Sequence, residues 1–188
     1  MSTQSRNEFG GEFGGVTLLG KAHSLSALFL VMLRAVIGGM ILFAGLGKFA
    51  FVSGEAFDAS GYLVHGVADA SPASGIYAAM GQTAWFVEIV NVIVPLTQVL
   101  IGVALIAGAF VRLAALGGAM QMMMFYLGGW EGEWLALFDS TLIYAVVFLT
   151  VAAFGAGRIL GIDKYIESIE VGGQPLVERF PVARYLLG

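Results

Sequence analysis

The chain has 188 residues, of which 59% are hydrophobic and only 12% charged, and its mean hydropathy is +0.88. An ordinary soluble domain carries about a quarter of its residues as charges, so this chain cannot clothe itself in polar surface. A net charge of −4 with no basic cluster excludes nucleic acid as a partner, and the lack of cysteine excludes disulfides, thiol catalysis, iron–sulfur clusters and thiolate metal sites.

Residues 1–24 are polar and rich in Gly, Ser, Thr and Glu, with a weak repeat in Glu8-Phe9-Gly10-Gly11 and Glu12-Phe13-Gly14-Gly15. They read as a flexible tail and not as a signal peptide, because the apolar run begins late and continues too far. Apolar blocks of the length that crosses a hydrocarbon core then predict membrane spans over 26–49, 85–110, 113–127 and 134–154. The connection 52–83 alternates apolar residues with Glu55, Asp58, His65 and Asp69, as short amphipathic helices at a membrane interface would; a solvated loop is the competing reading. After Gly155 the chain turns polar, and Ile162, Tyr165, Ile166 and Ile169 fall at helical spacing opposite Asp163, Lys164, Glu167 and Glu170, as in a helix resting on a membrane surface. The expected fold is therefore an all-α membrane protein, a four-transmembrane-helix bundle with interfacial helices in the first outer connection and after the fourth span. Its parts are a tail over 1–24, a membrane domain over 25–157 and an amphipathic tail over 158–188.

With four spans, Arg6, Lys21, Arg112, Arg158, Lys164, Arg179 and Arg184 fall on one side, while Glu55, Asp58, Asp69, Glu131 and Glu133 fall on the other with Lys48 alone for company. That asymmetry predicts a multi-pass protein of the cell membrane with both termini cytoplasmic, and it sets Trp85, Trp130 and Trp134 at the outer boundary, where indoles prefer to sit.

Ionisable groups inside a membrane must face protein or water. Arg34 lies a third of the way into the first span, Glu88 one turn into the second and Asp139 at similar depth in the fourth, with Lys48 ending the first. One reading gathers Lys48, Glu88 and Asp139 into a polar pocket at the outer end, with Asn91 and Gln98 adding contacts and Arg34 in support, able to hold the headgroup of a lipid-soluble molecule. The other has the cations snorkel and the carboxylates pair with them to hold the bundle together. Pro95 should kink the second span, and the polarity of Asn91, Thr97 and Gln98 also suits helix packing. Met120, Met122, Met123 and Met124 point around a helix and not to one metal, and His23 and His65 fall on opposite sides, so neither copper nor haem finds a ligand set.

The run Leu33-Arg34-Ala35-Val36-Ile37-Gly38-Gly39-Met40 through Gly45-Leu46-Gly47-Lys48, followed by Gln98, Gly102, Gly108, Arg112-Leu113-Ala114-Ala115, Gly155-Ala156-Gly157-Arg158 and Asp163, resembles the DoxX/DoxD-type membrane proteins over residues 28–165. That group includes the small membrane subunit of thiosulfate:quinone oxidoreductase, and the acidic balance is similar to that of halophilic archaeal members. The resemblance implies quinone as a bound, non-covalent cofactor and other membrane or redox subunits as partners, but it carries no catalytic motif over to individual residues. Without cysteine or metal ligands of its own, the chain would bind quinone or another lipid-soluble molecule as a membrane subunit of an oxidoreductase system. The alternative is a non-enzymatic assembly or anchoring protein whose many glycines dock copies of itself or other subunits. A transporter is disfavoured because no inverted repeat with paired broken helices is visible.

Overall fold

The computed structural model describes residues 8–188; Arg6 and the first part of the expected tail lie outside them. The protein is mostly helical. Among the described residues four helices reach 14 residues or more: α1 Ser26–Leu46, α4 Ala84–Ala107, α5 Val111–Gly128 and α6 Ser140–Ala153. They run up and down, α1 against α4 and α5 against α6, with α4 on α5 and α6 on α1 closing the bundle. Two of them, α1 with 21 residues and α4 with 24, are long and apolar enough to cross a membrane. Only 22% and 28% of their apolar windows are buried within the chain, so most of that surface, Val36, Phe43, Val92 and Leu100 included, faces outward. A core helix of a water-soluble protein buries the greater part of such a surface.

Glycine lets α1 and α4 approach. A Cβ on Gly38 would stand 2.9 Å from that of Leu105, and one on Gly45, two turns along the same face, 2.8 Å from that of Gln98. Gly118 of α5 gives the same room to the Phe148 ring of α6. The core between the pairs is Ile37, Ile41, Leu105, Val111, Ala115, Phe148 and Val151. The glycines expected to dock other molecules are thus largely filled from within the chain.

One end of the bundle, its base, holds the start of α1, the joint Gly108–Phe110 and the segment after α6. The other end, its crown, carries α2 Ala50–Ser53, a π-helical turn Tyr62–Gly66, α3 Ser74–Gly81 and the segment 129–139. Trp85, Trp130 and Trp134 sit at the crown, two of them 65% and 86% exposed. Arg112, Arg158 and Lys164 sit at the base.

Three expectations need correction. Within the expected tail, β1 Glu8–Phe13 and β2 Val16–Lys21 form an antiparallel hairpin in which Phe13 pairs with Val16. The doubled Glu-Phe-Gly-Gly pattern supplies the turn, because Gly14 and Gly15 both take positive φ, as a two-residue hairpin loop demands. The fourth expected span divides at Asp139: a five-residue 3₁₀ turn, Trp134–Phe138, precedes α6, whose 14 residues measure only about 21 Å against the ~30 Å of a hydrocarbon core. After α6, the helix expected to lie on a surface shrinks to α7 Asp163–Glu167, because Asp163 turns inward and not to the polar face. Beyond it α8 Leu176–Arg179 and α9 Ala183–Leu186 bring Leu187 and Gly188 back into the base, both buried.

Candidate functional site

The structure parts the six predicted site residues into separate groups. Arg34, 2% exposed, belongs to the base: its guanidinium donates to the carbonyls of Ala156, Ile159 (3.2 Å) and Leu160 (3.2 Å). Lys48 stands about 20 Å further along the α1 axis, at ~1.5 Å per residue, so Arg34 supports no pocket there. Asp139 begins α6 in extended conformation and accepts from the hydroxyls of Ser140 (3.0 Å) and Thr141. Glu88 is exposed on α4. Lys48, Glu88 and Asp139 therefore do not meet, since a carboxylate that starts a helix is held by its own next residues and one on an outward face has no reason to turn in.

What the crown does bring together is Lys48 and Gln98. The ammonium donates to Gln98 Oε1 at 2.9 Å and to the carbonyl of Ala44 at 3.0 Å, with the Phe57 ring 5.6 Å away. Gln98 is 2% exposed and Lys48 half-buried, so this polar contact ties the end of α1 to α4 at the edge of the interior. Asn91, two turns before Gln98, accepts from the backbone N–H of Ala59 at 2.7 Å and so ties the first connection to α4.

Above this pair the connection folds down as a roof. Tyr77 donates its hydroxyl to the carbonyl of Met124 (2.8 Å), Ser71 to that of Leu127 (2.6 Å), and the Ala68 N–H to that of Gly128 (2.9 Å). These acceptors are carbonyls of the last turns of α5, most of which have no partner inside their own helix. Tyr62 stands edge-on to both Tyr77 and Phe125, with ring centroids 6.5 and 5.9 Å apart. Burial raises the phenol pKa of both tyrosines, Tyr62 further through its neighbour Tyr77, which favours the protonated form that Tyr77 needs to donate.

Roof and helices border a partly open cavity of about 350 Å³, walled by Phe57, Tyr62, Tyr77, Phe86 and Phe125, with Lys48 and Gln121 as polar members besides the two tyrosine hydroxyls. That size is at the lower end of small-molecule sites. The Oε1 of Gln121 is buried and has no hydrogen-bond partner. Gln121 escaped the sequence reading because a single amide in a methionine run carries no period or motif. A larger space of about 760 Å³, between Lys21, His23 and the outward side of α1 at Phe29 and Val36, is a more open groove with its polar groups at one rim only.

Comparison with known protein families, with curated proteins and with solved structures finds no match for this chain.

At the base, residues far apart in the chain converge. Asp163, fully buried, accepts from the backbone N–H groups of Phe110 (2.6 Å), Val111 (2.9 Å) and Gly188 (3.0 Å). It thereby places a negative charge on the N-terminus of α5, where the helix dipole favours one, and holds Phe110 in left-handed conformation at φ 51°. Gly108, Gly157 and Gly161 line the same knot, each so close to Arg34 or Asp163 that a side chain would strike it. These contacts occupy the Asp163 carboxylate and both terminal nitrogens of Arg34, whose Nε alone is buried without a partner. The knot is packed by backbone and neither of the two cavities above borders it, which makes the base an anchor and the crown cavity the candidate site.

Proposed function

We propose that the chain crosses the membrane four times with both termini cytoplasmic, and that it is a membrane subunit of an oxidoreductase system binding quinone or another lipid-soluble molecule in the crown cavity. The observation that carries this reading is the cavity itself: aromatic walls suited to a flat ring, with a half-buried Lys48, held by Gln98, able to donate to a ring oxygen. The outward apolar faces of α1 and α4, the tryptophans at the crown and the arginines and lysines at the base support the orientation. On this reading α6 crosses together with its leading 3₁₀ turn, which adds about 10 Å. Several of the DoxX/DoxD-type residues add support by meeting at the two ends of the bundle, Lys48 and Gln98 at the crown and Arg34, Gly108, Gly157 and Asp163 at the base, while Gly38 and Gly102 lie along the α1–α4 contact between them. The chain supplies binding and position, and electron transfer falls to a partner.

An assembly or anchoring role draws less support, because Gly38, Gly45, Gly102 and Gly118 already receive neighbours from the same chain. The test is direct. Protein purified from its native membrane should release quinone on solvent extraction, seen by mass spectrometry, and Lys48→Ala should weaken quinone binding about tenfold, the worth of one charge-assisted hydrogen bond. Extracts free of quinone together with an unchanged affinity in Lys48→Ala would sink the proposal.

A further inference from the structure

If the crown cavity is a ligand site, its hydrogen-bonding groups say which ligand it takes. An ammonium carries three N–H donors, and those of Lys48 reach Gln98 and Ala44, which leaves one in hand for a ligand oxygen. The Tyr77 hydroxyl is engaged by the Met124 carbonyl. Gln121, on the α5 wall, is different: its Oε1 is buried and receives no donor. A buried acceptor left without a donor is costly, so a ligand that brings one is favoured over a ligand of the same shape that does not.

We propose that the cavity selects a hydroxyl-bearing aromatic ring, and hence the hydroquinone form of a quinone couple over the quinone. A quinone offers only carbonyl oxygens, which can accept from Lys48 but leave Gln121 as it stands. The hydroquinone accepts from Lys48 through one oxygen and donates an O–H to Gln121, which satisfies both of these groups. The five aromatic side chains around them choose a flat ring over an alkyl chain. In the oxidoreductase system this places the subunit on the side that holds reduced carrier. The inference rests on the ligand reading above and refines it.

The experiment is calorimetric titration of the detergent-purified full chain, without oxygen, with decylubiquinol, decylubiquinone and decanol in separate runs. The expected result is quinol binding at least about tenfold tighter than quinone, the effect of one satisfied buried acceptor, with decanol weaker than the quinol. Gln121→Leu should bring quinol and quinone to near equality. Equal binding of the two forms by the unmodified chain, or tighter binding of the quinone, overturns the inference while leaving a quinone site standing. A preference that survives Gln121→Leu also overturns it, because the preference then arises elsewhere. Decanol binding as tightly as quinol refutes selection for a ring. If none of the three binds, the ligand reading itself fails and takes the inference with it. The comparison within the unmodified chain needs no variant to fold.

Discussion

Asp163→Ala is the substitution with the largest expected effect on this protein. The carboxylate has no exposure and accepts three backbone N–H groups, from Phe110, Val111 and Gly188, at 2.6, 2.9 and 3.0 Å. Alanine leaves three donors unpaired, two of them fully buried, withdraws the charge that acts on the buried Arg34 guanidinium and removes the anion from the start of α5. Each orphaned donor costs about 1–3 kcal/mol, and removing one partner of a buried charged group costs about 3–5 kcal/mol, so a loss near 3–5 kcal/mol is expected because the terms overlap. For a chain of this size that corresponds to a melting temperature lower by about 6–20 °C. Intrinsic tryptophan fluorescence of the protein in dodecyl maltoside, followed on heating, measures it. A variant that melts within about 2 °C of the unmodified chain would refute the view that Asp163 anchors the base.

Surface charge should matter far less: Arg158 and Glu167 pair at 2.8 Å with Arg158 half exposed, and Arg158→Ala should cost no more than about 1 kcal/mol in the same melt. Gly45→Ala and Gly39→Ala gain the same helix propensity, but the first meets Gln98 and Val99 within 3 Å and the second meets nothing within 4 Å, so SDS titration should find Gly45→Ala less stable than Gly39→Ala by the overpacking cost of about 1–3 kcal/mol. Tyr77→Phe removes the hydroxyl that holds the roof to Met124 and should cost about 1 kcal/mol, seen as faster hydrogen exchange over the π-helical turn and α3 with α6 unchanged.

Hydropathy located α1 and α4 to within a few residues, because a long apolar run has few other ways to satisfy its backbone in lipid. It misjudged the start of α6, where one carboxylate at Asp139 opens a helix inside an otherwise apolar run and an averaging window passes over it. In the connection 52–83 the alternation of residues revealed short helices, but nothing local could say that Tyr77 and Ser71 reach carbonyls of α5 some fifty residues later. The site was half legible for the same reason. Lys48 and Gln98 stood out as polar groups on apolar spans, whereas their pairing, the separation of Glu88 and Asp139 from them, and the place of Gln121 in the cavity wall depend on which faces meet. Arg34 and Asp163 were each visible in the chain, yet what binds each is set by folding and not by neighbours in sequence.

Helix α5 is held at both of its ends by groups from outside it. Asp163 grips the first N–H groups, and the roof residues Ala68, Ser71 and Tyr77 grip the last carbonyls. Sliding α5 along its axis by one residue, ~1.5 Å, would pull hydrogen bonds of 2.6–2.9 Å past bonding range at one end or the other. Axial pistoning is therefore closed to this helix as a way of carrying a signal across the bundle. If the proposed ligand enters by a lifting of the roof, the latch is the last turn of α5, so ligand exchange and the opening of that turn should then proceed at one and the same rate.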